Sequence, residues 1–600
     1  MPPTDRPRVR RWAPVTVLAP VVVALTTVVA TPAQATPPRL PGLPPPVPPS
    51  DRFAAAPIEW GECDPATFYT DAATGASLIP AGYRCADYRV PLDYDRPDGE
   101  QITLALIKRP AGAPPTEAEP EPPATADPQG TIFVNPGGPG GSGVDTVAGD
   151  GDGLFGPEVL TRFDVVGFDP RGTNRSTGLQ CYPDSDAGLA DAATDELRVA
   201  WPETPEEFAA ARRDALDFAT DCRGTAGSII RHMGTTNVAR DVDVLRRAVG
   251  DPQLNFIGYS YGTYLCAQYV AQFADRVGAV ACDANIDPVE YAVGEPPLRG
   301  PRVPNFARQG TEAGSDATFA EFLRLCEEAG PQRCAFAPGA AARFDALYDA
   351  LAATPLDLGA VPVLDERGLV RQVLGYLYGP LAGFPVLAQV LAELELRVAG
   401  AAPPAPPVEE EPGFVPPAEP VYFGVEQLYG VSCTDNLQPR GLAPWRRAIE
   451  RADGLFGRHW ASGDLTCAYW PAYDTDTVLG PFDRPTPNPV LVVNSRFDAA
   501  TPWEDAVDHE RRYPNAAFLD VVGWGHGGQQ LSQCSSDIVD GYFLTRTVPA
   551  DRMTCTQDVA PFSPGAAGPA PAGPAPAEDT TIPDEEIGRA SCRERVSGGV

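Results

Sequence analysis

Gly258-Tyr259-Ser260-Tyr261-Gly262 matches G-x-S-x-G. The pentapeptide alone is common by chance. Here the apolar run Leu254–Ile257 precedes it and a helical pattern follows it. In that setting the glycines permit a tight strand-to-helix turn that exposes the serine oxygen. The helix N-terminus then favours developing negative charge. The competing reading is a structural turn with a passive serine. A serine hydroxyl becomes a nucleophile only beside a base. Four histidines are available: His232, His459, His509 and His526. Behind a serine on such a turn, the acid and then the histidine follow in the chain, which excludes His232. His526 sits in Gly523-Trp524-Gly525-His526-Gly527-Gly528, just after the apolar run Ala517–Val522. A glycine-flanked loop at a strand end is where a base can reach the nucleophile. His459 and His509 lie in polar, helix-like contexts and read as surface residues.

The acid must hold the imidazole tautomer and stabilise its positive charge. Asp498 follows the run VLVVNS and lies 28 residues before His526. The alternatives are a helix-capping role for Asp498, with Asp283 or Asp287 as the acid. Thr501 is placed to support Asp498. Pro136-Gly137-Gly138-Pro139-Gly140-Gly141-Ser142-Gly143 follows the apolar run Thr131–Asn135. It lacks the Lys-Ser/Thr ending of a phosphate loop. It suits an oxyanion hole, where backbone N–H groups must approach a substrate unobstructed. The expected donors are Gly138 or its neighbour Gly137, together with Tyr261. A plain glycine turn is the alternative.

These residues need a scaffold. Arg89 to Leu92 and Gln101 to Lys108 read as edge strands, and TIFVN, FDVVGFD, 255–258, 278–283 and 490–494 as buried ones. Residues 235–249 carry Val238, Val242, Leu245 and Val249 at helical spacing, and 261–274 reads as a helix. Short apolar strands alternating with helices predict a mostly parallel central sheet with helices on both faces. Between about 290 and 425 the pattern changes to helices at 317–329, 340–353 and 368–399, an inserted helical cap. The expected organisation is a core over 53–289, the cap with its Pro-rich closing linker over 290–425, and the rest of the core over 426–560.

Composition supports a folded chain with extended decorations. Of 70 prolines in 600 residues, 29 fall in 36–50, 110–128, 401–420 and 561–577, so the remainder has an ordinary content. The net charge of −34 argues against nucleic acid and anionic membrane surfaces. Arg6, Arg8, Arg10 and Arg11, the apolar stretch 15–30 and Ala33-Gln34-Ala35 predict a cleaved secretory signal over 1–35, then a Pro-rich leader over 36–52. The expected product is secreted, with no stable membrane association after cleavage. At the other end, 561–585 is a Pro/Ala-rich tail. Glu586 to Val596 (EIGRASCRERV) resembles the translation of a DNA-sequencing adapter, so 586–600 is set aside. Without Cys592, 12 cysteines remain. Proximity suggests Cys63–Cys85, Cys181–Cys222, Cys326–Cys334, Cys433–Cys467 and Cys534–Cys555, leaving Cys266 and Cys282 as buried thiols or a sixth bridge. No ligand pattern for zinc is present, and no cofactor or metal is expected.

The stretches CADYRVPLDY, NPGGPGGSG, VVGFDPRGTNRST, GYSYGTYL, FADRVGAV, SRFDAATP and GWGHG together resemble the secreted actinobacterial tripeptidyl aminopeptidases and proline-iminopeptidase-like serine peptidases. The resemblance runs from about 60 to 555. It implies an α/β-hydrolase fold, a triad of Ser260, Asp498 and His526, and release of short N-terminal peptides from substrates with a free N-terminus. Proline iminopeptidases show His-Gly-Gly-Pro-Gly where this chain has Asn135-Pro136-Gly137-Gly138-Pro139-Gly140, which argues against release of a single proline. The family's amine-binding acids lie in the cap; Glu312, Glu321, Glu327 and Glu328 are the candidates. Two further readings remain open: a carboxylesterase or lipase acting on short acyl esters with the same triad, and a non-catalytic binding protein of the same fold.

Overall fold

The computed structural model describes residues 49–68, 70–71, 79–112, 128–182, 200–295, 299–358, 363–401, 414–415 and 424–564. The expected signal, most of the leader, the 113–127 insert, most of the cap-closing linker and the C-terminal end lie outside the described residues.

Nine strands form one sheet. They are β1 Arg84–Pro91, β2 Gln101–Arg109, β3 Thr131–Asn135, β4 Asp164–Phe168, β5 Leu254–Tyr259, β6 Val277–Asp283, β7 Val490–Phe497, β8 Ala517–Trp524 and β9 Arg552–Thr556. Their order is β9-β8-β7-β6-β5-β3-β4-β2-β1. All pairs are parallel except those made by β2, which runs antiparallel to β1 and β4. The apolar runs are explained by burial on both faces. In β3, Phe133 belongs to one apolar layer and Ile132 and Val134 to the other. In β5, Phe256 and Ile257 divide the same way. Helix α1 (Gly143–Asp150) covers one face through Val144 and Val147. Helices α2 (Thr235–Ala248) and α3 (Tyr261–Phe273) cover the other through Val238, Val242, Tyr264 and Leu265. Truncating a fully buried ring such as Phe256 to alanine costs about 3–5 kcal/mol at such a site.

Between β6 and β7 lie helices α4 (Thr311–Ala329), α5 (Ala340–Ala353), α6 (Glu366–Leu377) and α7 (Pro380–Val398). The single helix expected over 368–399 is two, because Gly379 breaks the run and Pro380 starts the next at a position where its missing N–H is harmless. The helical stretch also runs past 425, through α8 (Val425–Asp435) and α9 (Leu442–Arg451), and the strands of the nine-stranded sheet resume only at Val490. Among the described residues no helix is long and apolar enough to cross a membrane.

Five disulfides join the pairs that proximity suggested. Cys266 and Cys282 are buried free thiols. Two histidines expected on the surface are not there. His509 is fully buried and bonds the Tyr513 hydroxyl at 3.0 Å. Burial also pulls the half-buried His459 down to about 4. A polar helix sequence did not reveal that these helices turn those positions inward.

Candidate active site

β5 delivers Ser260 to the first turn of α3. Ser260 has φ 55° and ψ −124°, a conformation that costs about 1–3 kcal/mol for a non-glycine residue. Its N–H donates to Asp283 O at 2.9 Å, and its carbonyl accepts from Thr263 N–H at 2.8 Å. The motif glycines are required by close approach. A β-carbon on Gly258 would lie 2.3 Å from Gly262 O, and one on Gly262 2.8 Å from Asn135 Oδ1.

The glycine run after β3 lies against this turn. Gly137 has φ +101°, and a β-carbon there would lie 2.5 Å from Tyr259 O and 2.8 Å from Ser260 Cβ. Gly137 N–H donates to Asn135 Oδ1 at 3.2 Å. Of the two expected donors, Gly138 is therefore the one whose N–H has no acceptor among the described residues. The Tyr261 N–H, at the first helical position, has no intrahelical acceptor. Asp169 braces the run by accepting from Ser142 Oγ at 2.6 Å and Val144 N–H at 3.1 Å. Burial pushes the Asp169 carboxyl up to about 6.

β7 and β8 bring Asp498 and His526 together. His526 Nδ1 lies 2.9 and 3.0 Å from the two Asp498 oxygens. Asp498 also accepts from Ala500 N–H and Thr501 N–H at 2.9 Å each. Thr501 Oγ1 stands 3.4 Å from His526 Nδ1. Burial pulls the imidazole down, but the Asp498 charge and hydrogen bond outweigh it, and the net shift is upward. No hydrogen bond joins the Ser260 hydroxyl to His526 in this structure; without substrate, catalytic hydrogen bonds are often long or poorly aligned.

Asp283 and Asp287 make other contacts. Asp283 turns both carboxylate oxygens to the loop after His526, accepting from Gly528 N–H at 2.7 Å and Gln529 N–H at 2.8 Å. Asp287 pairs with Arg512 at 2.6 Å and caps a short helix through Val289 N–H. The cap reaches both loops. His526 N–H donates to Tyr378 O at 2.9 Å, and the Tyr378 ring meets the imidazole edge-on at 5.1 Å. Gly314 of α4 approaches so closely that a β-carbon would lie 2.4 Å from Asp498 O.

Two family models match the chain: "alpha/beta hydrolase fold" over residues 130–331 and "TAP-like protein" over 453–555. The tripeptidyl aminopeptidase of Streptomyces lividans is 30% identical over 528 residues, covering 85% of this chain and 88% of that relative. The chain belongs to the tripeptidyl aminopeptidase family. It is a serine hydrolase of the α/β-hydrolase fold. Serine protease Hip1 of Mycobacterium tuberculosis is 27% identical over 532 residues, covering 83% and 91% of the two chains. Carboxylesterase B of the same species is 31% identical over 488 residues, covering 79% and 86%.

The cap carboxylates expected to bind an amine in this tripeptidyl aminopeptidase relative are mostly engaged. Glu321 accepts from Trp524 Nε1 at 2.9 Å and from Arg324 at 2.8 Å. Glu327 caps α5 through Gly339 N–H at 2.7 Å, and Glu328 pairs with Arg324 at 2.7 Å. Of these four, only Glu312 is half-buried and has no ion pair with a described residue; burial pushes its carboxyl up. It lines a groove with Arg299, Arg302, Arg447, Arg451 and Asp453. The sequence missed Asp283's grip on the histidine loop, the Tyr378 contact and the Gly314 approach. Only Asp283 carried a signal, as an acid ending the strand after the nucleophile helix.

Proposed function

We propose that this serine hydrolase is a secreted exo-peptidase that releases short N-terminal peptides through an acyl-enzyme on Ser260. In this reading His526 removes the Ser260 proton as the hydroxyl attacks the scissile carbonyl. The carbonyl oxygen gains charge and is met by the N–H groups of Gly138 and Tyr261. His526 passes the proton to the leaving amine, and water repeats the cycle to free the acyl group. Asp498 holds the Nδ1–H tautomer and offsets the imidazolium charge.

The observation that carries the reading is the bond from His526 Nδ1 to both oxygens of a buried Asp498. Peptide substrates are supported by the Streptomyces and Hip1 relatives. A second reading, an esterase, is supported by the carboxylesterase B relative. The test compares tripeptide amides, with free and with blocked amino termini, beside short acyl esters. Free-amine peptides should turn over fastest. Equal or better turnover of blocked peptides overturns the exo-peptidase reading, and preference for esters supports the second.

A further inference from the structure

We infer that Asp283 is a positioning residue that fixes the His526 loop onto the nucleophile turn, so that the distance from base to serine depends on this carboxylate. The inference rests on Ser260 and His526 acting as nucleophile and base. Asp283 ends β6, between β5, which carries Ser260, and β7, which carries Asp498. Its carbonyl accepts the Ser260 N–H at 2.9 Å. Its carboxylate accepts the Gly528 and Gln529 N–H groups, the second and third residues after His526. One buried residue therefore holds the serine by its main chain and the histidine loop by its side chain. A second tie supports it, from the Tyr259 hydroxyl to Gln529 Oε1.

The loop needs such an anchor. Gly525 and Gly527 have φ +145° and +111°, where few other residues are at ease, so the segment has little stiffness of its own. Of its main-chain N–H groups, Gly525 donates to Phe497 O, His526 to Tyr378 O and Gly527 to Asp498 Oδ2. None of these three acceptors belongs to the strand pair that carries Ser260. Asp283 refers the histidine loop to the nucleophile turn through both its main chain and its side chain, and the Tyr259 hydroxyl on Gln529 Oε1 stands beside it.

The titratable groups facing Asp283 are Asp498 from the loop after β7, His526 from the loop after β8, Tyr259 from β5 and Cys282 beside it. The carboxylate charge also supports the imidazolium. Removing it should move two readouts together, the rate and the acid limb of the pH profile. A loss of fold stability alone would move neither for the molecules that remain folded.

The experiment uses the full chain and an active-site-directed fluorophosphonate, so it does not depend on which substrate the enzyme prefers. Asp283→Asn keeps one acceptor but turns an NH2 donor toward the second N–H. It should label at least about 10-fold more slowly at the plateau, as expected for a base held loosely, with the acid limb shifted to lower pH. Asp287→Asn, which removes a buried carboxylate paired elsewhere, should shift no limb. Wild-type labelling with an unmoved limb in Asp283→Asn overturns the proposal. If Asp283→Asn does not fold, Asp283→Glu keeps the charge on a longer arm. It should label slowly with an unmoved limb, and a wild-type rate there overturns the proposal equally. Wild-type labelling by His526→Ala would instead overturn the reading of the base on which the proposal rests.

Discussion

Gly314 stands in the first turn of α4, and a β-carbon there would lie 2.4 Å from Asp498 O and 3.3 Å from Pro502 Cγ. Carbon meets carbonyl oxygen comfortably at about 3.3–3.6 Å. Gly314→Ala therefore forces the helix and the acid loop apart by about 1 Å. Two stability effects oppose each other. Alanine gains up to about 1 kcal/mol of helix propensity. Overpacking against fixed backbone costs about 1–3 kcal/mol. The net loss is then only about 0–2 kcal/mol. The catalytic effect has no such offset. Displacing a catalytic group by about 1 Å can cost about 100-fold in rate, or about 2.7 kcal/mol of barrier. Gly314→Ala should thus keep nearly all its stability and lose most of its kcat. Gly375 in α6 is the control, because a β-carbon there meets nothing within 4 Å. Gly375→Ala should gain about 0.5–1 kcal/mol and keep its rate. Thermal unfolding and turnover of a free tripeptide amide would be measured on all three proteins. A Gly314→Ala enzyme with wild-type kcat and a raised midpoint would refute the claim that the cap sets the position of Asp498.

Other outcomes follow from the same geometry. Because His526 is raised above the ordinary 6.5 by Asp498, activity should rise with pH through a limb above 6.5; Asp498→Asn should lower that limb and cut kcat by about 10⁴, read from a pH–rate profile. Gly137→Ala places a β-carbon 2.8 Å from Ser260 Cβ; a serine probe should fail to label it, and normal labelling would show that the glycine run does not touch the nucleophile. Cys181→Ser with Cys222→Ser opens a 41-residue loop and should cost about 4 kcal/mol by denaturant titration. Burial holds His509 down at about 3. The unfolded chain, near 6.5, then takes up a proton that the fold refuses. Its stabilising contribution is complete above 6.5 and is lost as pH falls toward 3. His509→Gln should flatten the acid side of the stability–pH curve by about 1.4 kcal/mol per pH unit, and an unchanged slope would place that proton elsewhere.

Much of the candidate site was legible because its parts are local. G-x-S-x-G needs only a strand before it and a helix after it, and both are written within twenty residues. TIFVN and VLVVNS announce themselves as buried strands because parallel strands covered on both faces must be apolar throughout. The glycine runs at 137–143 and 523–528 mark where backbone must pass close to other backbone. The cysteine pairs followed from proximity in the chain. What stayed hidden depends on contacts across long separations. Asp283 and Gln529 are 246 residues apart, and nothing in either neighbourhood names the other. The cap's hold on His526 uses Tyr378 O, a main-chain atom that any residue would provide. Gly314 reads as an ordinary helix glycine until Asp498 O is placed against it. The polar helices around His459 and His509 gave no warning of burial.

The sequence by itself determined which residues can do chemistry, because side-chain type and local backbone freedom are properties of short segments. It determined the sheet for the same reason, since burial on both faces leaves an apolar run. Only the tertiary structure decided which acid bonds the His526 imidazole and which bonds the N–H groups of its loop. Asp283, Asp287 and Asp498 all lie at or just after the C-terminal ends of β6 and β7, which are parallel neighbours. Their roles differ by which N–H groups and which imidazole lie within hydrogen-bond reach, at about 3 Å. Packing sets that distance, and no pattern of residue types along the chain encodes it.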